Sequence, residues 1–75
     1  MTGDVPRDFD EQLAATRARA PEFVGLSEDD ARRLGEHYGL LLRVVAPGAI
    51  VTADLRPHRV TLVVEDGVVT RADAG

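Results

Sequence analysis

Two apolar runs, Leu40 to Val45 and Val60 to Val64, stand between Pro and Gly turn signals and predict two β-strands. In Arg59 to Val64 a period of two sends Val60, Leu62 and Val64 to one face, with Arg59, Thr61 and Val63 on the other. Glu65-Asp66-Gly67 then predicts a tight turn into a third strand, Val68 to Arg71. Upstream, Ala31, Leu34 and Tyr38 fall at i, i+3 and i+7, the spacing of a helix that lays one face on a sheet. Its start is marked by Ser27 as N-cap, followed by Glu28, Asp29 and Asp30 at the positive end of the helix dipole, and its stop by Gly39. Phe23 and Tyr38 are expected in the core, and Phe23, Val24 and Leu26 are expected to close one end of it. A shorter helix is predicted from Phe9 to Ala18. Asp8 would cap it, Glu11 would complete a capping box, and Phe9, Leu13, Ala14 and Ala18 would form a thin apolar stripe before Pro21 ends it. Met1 to Arg7 is polar, carries Gly and Pro, and is expected to be loose.

The predicted order is helix, helix, strand, long connection, strand, turn, strand. That is an α+β fold, one main helix on a small mixed β-sheet with a short N-terminal helix added. Residues 1–20 read as an extension and residues 21–75 as the domain proper. The connection Ala46 to His58, APGAIVTADLRPH, is the odd element. It carries Ala49, Ile50, Val51 and Leu55 among Thr52, Asp54 and Arg56, so it is not polar filler. A long connection in a compact domain is usually functional or disordered, and a β-rich segment with a Pro near each end suits display in an extended form.

Composition narrows the chemistry. At 75 residues the chain is one small domain, with a stability margin of about a few kcal/mol. With no cysteine it has no disulfide and no thiolate metal site. The net charge is −4, and the 9 cationic residues, all Arg, are scattered rather than gathered in a stripe, so nucleic acid is not an expected partner. No apolar run approaches the roughly 20 residues that span a bilayer, and no signal region is visible. A cytoplasmic location is therefore expected for the chain as given, or a secreted one if a signal has been removed. Arg without Lys, with many Ala, Val and Gly, matches the usage of a high-GC bacterial genome. His37 and His58 lack a third ligand at useful spacing, so neither metal nor cofactor is expected. Ser27 reads as a cap rather than a nucleophile, the acidic run as a helix start, and no acid/base constellation argues for an enzyme.

From Pro21 to Gly75 the chain resembles the potato inhibitor I family of serine protease inhibitors, the eglin and barley chymotrypsin inhibitor type. The resemblance rests on Phe23-Val24-Gly25 with Ser27, on the helix with Ala31, on Pro47 through Val60, and on Gly75. It implies a binding loop, Ile50, Val51, Thr52, Ala53, Asp54, Leu55 and Arg56, offered to a serine protease as a substrate would be, between two parallel strands. Ala53 would enter the primary specificity pocket and Ala53-Asp54 would be the reactive bond. Arg59 would support the loop by bonding to Thr52 or Asp54, with Gly75 nearby. Where the family's plant members carry a second supporting arginine this chain has Thr61, which shortens or removes that brace. Where bacterial relatives carry a cysteine near the last glycine it has Ala74. An alanine at the primary position favours subtilisin-like or elastase-like proteases over trypsin-like ones. The competing expectation is a non-inhibitory interaction module on the same fold, using the loop or residues 1–20. Oligomeric state is not encoded in any pattern of the chain.

Overall fold

The structure, a computed structural model, describes residues 5–49 and 55–75, with side chains from Phe9 onward. Helix α1 spans Val5–Arg19, a 3-10 turn follows at Ala20–Phe23, and helix α2 spans Glu28–Tyr38. Strands β1 (Leu41–Val45), β2 (Arg59–Glu65) and β3 (Val68–Ala74) complete the chain. They form one sheet in the order β1-β2-β3, with β1 parallel and β3 antiparallel to the central β2. The α+β architecture with a mixed sheet is the one expected.

The alternation in β2 decides which face is core. Val60 and Leu62 are fully buried and Val64 packs beside them, while Arg59, Thr61 and Val63 are half-buried on the opposite face. Phe23, Ala31, Val69 and Ala20 complete the core cluster. Burying a side chain of the size of Phe23, Leu62, Val60 or Val69 contributes about 1.5–3 kcal/mol, so these four supply much of the folding drive of a small domain. Val24 departs from expectation: it lies about half exposed, and only Phe23 of that pair enters the core. The reason is backbone pairing. Gly25 N–H donates to the Val69 carbonyl and Val69 N–H to the Leu26 carbonyl, both at 2.8 Å, so this segment runs along β3 as a short edge and alternate residues point out.

Helix α2 is capped as its sequence requires. Ser27 Oγ accepts the Asp30 N–H at 3.1 Å, and Gly39 ends the helix in a left-handed conformation. Ala31 and Gly35 are buried and Leu34 half-buried. Tyr38 is not core. It is half-buried at the helix end, and its hydroxyl donates to Glu22 Oε1 at 2.6 Å.

Helix α1 begins at Val5, before the expected start, so Asp8 lies inside it rather than capping it. Pro6 explains the earlier start, because a proline in the first turn has its φ already set and gives up an N–H that no helical bond needs. Ala14 and Ala18 are exposed, and the inward stripe runs instead through half-buried Phe9 and Leu13 and buried Thr16 and Ala20. Those positions step by four, three and four, a helical face with a polar residue in its middle. Strand β3 also outruns its expected end. Ala72, Asp73 and Ala74 have weak strand propensity, yet they pair with Leu62, Thr61 and Val60.

Candidate functional site

Residues 46–58 join the parallel strands β1 and β2, and their two ends are built differently. On the β1 side, Ala49 N–H donates to the Ala46 carbonyl at 3.1 Å and closes a turn. Pro47 occupies its second position and Gly48, at φ 77°, its third, the type II arrangement in which the third residue must adopt positive φ. All four residues are exposed.

On the β2 side, Arg59 N–H donates to the Arg56 carbonyl at 3.3 Å, a turn through Pro57 and His58. Leu41 N–H donates to the His58 carbonyl at 2.9 Å, the first bond of the parallel pairing. Gly75 then lies across this end. Its N–H donates to the Arg59 carbonyl at 2.7 Å, and its own carbonyl oxygen accepts from Thr61 Oγ1 at 2.8 Å and from Arg59 Nε at 3.4 Å. A Cβ on Gly75 would stand 2.5 Å from Leu55 Cδ1, so the Leu55 side chain occupies the space that glycine leaves open. Thr16, from α1, is 2 % exposed, and its Oγ1 lies 2.6 Å from the Pro57 carbonyl and 2.9 Å from the Gln12 carbonyl.

The structure thus brings together four of the expected residues: Leu55, Arg59, Thr61 and Gly75. Thr61 keeps a bracing bond, directed at Gly75. Leu55 and Arg56 are exposed, as a presented segment requires. Ile50, Val51, Thr52, Ala53 and Asp54 lie outside the described residues, and with them the expected bonds from Arg59 to Thr52 or Asp54. Thr16 is the residue that sequence reasoning missed. A threonine does not register as apolar, although the spacing from Phe9 and Leu13 to Ala20 marks its face.

Other polar clusters are surface structure. Glu28–Arg32 at 2.6 Å and Asp30–Arg33 at 3.1 Å are exposed pairs along one helix, each contributing a few tenths of a kcal/mol. The Arg19 guanidinium carbon lies 4.4 Å from the Tyr38 ring centroid, and Arg19 Nη1 is 3.5 Å from Glu22. The Tyr38 hydrogen bond holds the Glu22 carboxyl below its ordinary range, with Arg19 adding to the effect, while the same bond and desolvation raise the Tyr38 phenol. This trio ties the end of α2 to the 3-10 turn. Among the described residues no three or more His, Asp or Glu side chains converge as a metal site, and no helix is long and apolar enough to cross a membrane.

No family model matches the chain. A curated relative does: the subtilisin inhibitor CLSI-I of Canavalia lineata is 45 % identical over 47 residues, which cover 61 % of this chain and 72 % of the plant protein. With that identity over that share of the relative's length, the chain belongs to the family of subtilisin inhibitor CLSI-I, a family of protease inhibitors.

Proposed function

We propose that the protein is a serine protease inhibitor of the potato inhibitor I type. It presents Val51 to Arg56 as an extended substrate mimic, with Ala53-Asp54 as the reactive bond and Arg59, Thr61 and Gly75 as support. The observation that carries this reading is the bonding at the β2 end of the loop: Gly75 bridges Arg59 and Thr61 while Leu55 fills the space beside it. A segment fixed beforehand avoids ordering costs of about 0.5–1.5 kcal/mol per immobilised side chain when a protease closes on it. That the plant relative is a subtilisin inhibitor points the same way.

Fixation on this side also bears on turnover. When a protease serine attacks the Ala53 carbonyl, the peptide bond breaks and the nitrogen leaves with a proton as the new amine of Asp54. If that amine stays in place, its attack on the acyl-enzyme restores the peptide and the free serine, in competition with water. A leg anchored from Leu55 onward keeps it there. Ala53 suits small or permissive pockets, so the target class is subtilisin-like or elastase-like. Ile50 and Val51 suit an apolar groove that pairs with an extended strand.

Titration against subtilisin, elastase, chymotrypsin and trypsin, following residual activity, tests the reading. Inhibition of subtilisin or elastase is expected, with Ala53→Arg moving preference toward trypsin. Absence of inhibition at micromolar protein, or rapid complete scission at Ala53-Asp54, selects a non-inhibitory interaction module instead. An unchanged profile in Ala53→Arg places the contact elsewhere.

A further inference from the structure

We propose that Thr16, a residue of helix α1 and not of the loop or its strands, is a positioning residue for the leaving-group side of the loop. Its hydroxyl holds the Pro57 carbonyl. The turn Arg56 to Arg59 uses the Arg56 carbonyl and the Arg59 N–H for its own bond, and His58 gives its carbonyl to Leu41. The Pro57 carbonyl, between them, serves neither contact and meets Thr16 Oγ1 at 2.6 Å. One hydroxyl carries one hydrogen, and the Gln12 carbonyl at 2.9 Å is the ordinary back-bond of a helical threonine. The shorter distance belongs to Pro57.

The site is built rather than incidental. Thr16 is 2 % exposed and is the buried polar side chain of a stripe that otherwise consists of Phe9, Leu13 and Ala20. The Gln12 carbonyl within the helix could accept the same hydrogen, so what the shorter bond to Pro57 adds is a tie between α1 and the leg, which fixes where α1 docks. The helix in turn fixes the leg. Pro57 stands three residues beyond Asp54, and the leg therefore has two anchors from distant parts of the chain, Gly75 against Leu55 and Thr16 at Pro57. Arg59 and Thr61 brace the Gly75 end from the sheet, and α1 adds a separate tie at Pro57.

The role in inhibition rests on the inhibitor reading above, whereas the tie itself belongs to the free protein, so the two are measured separately in the full chain. Thr16→Val keeps shape and methyl group but removes the hydroxyl, and Thr16→Ser keeps the hydroxyl. Amide hydrogen exchange of the free proteins is compared at Arg59, whose N–H closes the turn, and at Leu62 and Val69 in the core. Thr16→Val is expected to exchange about three- to tenfold faster at Arg59 than wild type, with the core unchanged and Thr16→Ser close to wild type. Loop scission by subtilisin is expected to accelerate in the same proportion. Equal exchange at Arg59 in Thr16→Val and wild type overturns the tie. The same acceleration at Leu62 and Val69 reduces Thr16 to a general packing residue and overturns it too. Faster exchange at Arg59 without faster scission overturns the role in inhibition alone. A wild type that inhibits no protease sinks the inhibitor reading, and the exchange comparison then decides the tie by itself.

Discussion

Among the described residues, the β1 end of the loop is the turn Ala46 to Ala49, all four exposed, whereas residues 55–58 at the β2 end meet three other pieces of chain before the strand begins. Leu41 N–H donates to the His58 carbonyl, Gly75 lies against Leu55 and Arg59, and Thr16 reaches Pro57. With Ala53-Asp54 as the proposed reactive bond, the difference falls where an inhibitor would need it: after acylation of a protease the first leg would stay covalently attached through Ala53, and only the second would have to be retained by noncovalent means. A loop held equally on both sides would spend half of its bracing where the acyl bond already does the holding.

Arg59→Ala is the harshest test of that asymmetry. It removes a charged, half-buried donor to the Gly75 carbonyl, and scission at Ala53-Asp54 by subtilisin is expected to rise about tenfold while the denaturation midpoint moves little. Unaltered scission would mean that the braced leg does not govern turnover. Thr61→Val is milder. It deletes a neutral bond of 2.8 Å, for which a net loss of about 1 kcal/mol and a roughly fivefold faster scission are expected, read by mass spectrometry of timed digests. Pro47→Ala acts on the other leg and is the smallest. The type II turn loses its preset φ, at a cost of about 0.4–1 kcal/mol in urea denaturation, with the scission rate within about twofold of wild type. A scission rate in Pro47→Ala that matched Arg59→Ala would erase the distinction between the legs.

Most of the sheet and both helices were legible because their signals are local. Val60 and Leu62 alternate with Arg59 and Thr61 over a strand with one buried face, and Ser27 and Gly39 state the limits of α2 in chemistry that needs no tertiary context. What escaped depends on partners far away in the chain. Thr16 is buried because the Pro57 carbonyl waits for it, 41 residues on, and no property of α1 alone announces that. Ala72 to Ala74 extend β3 because β2 lies alongside, against their own propensity. Val24 turns outward because Gly25 and Leu26 spend their backbone groups on Val69. Of the candidate site, Leu55, Arg59, Thr61 and Gly75 were named through a resemblance of motif. How they meet, through the Gly75 carbonyl and the space beside its Cα, was not written in that motif.

The parallel pairing of β1 with β2 has a consequence for engineering. Parallel neighbours cannot be joined by a hairpin. The chain must travel back along the sheet, which takes about a dozen residues even when no helix is inserted. Residues 46–58 are close to that minimum, so a connection of this length is something the topology demands whatever sequence fills it. The fold should therefore act as a cassette. Residues between the Ala46–Ala49 turn and Leu55 can be exchanged for other peptides of equal length with the sheet intact, whereas deletions there would strain the strand pairing itself.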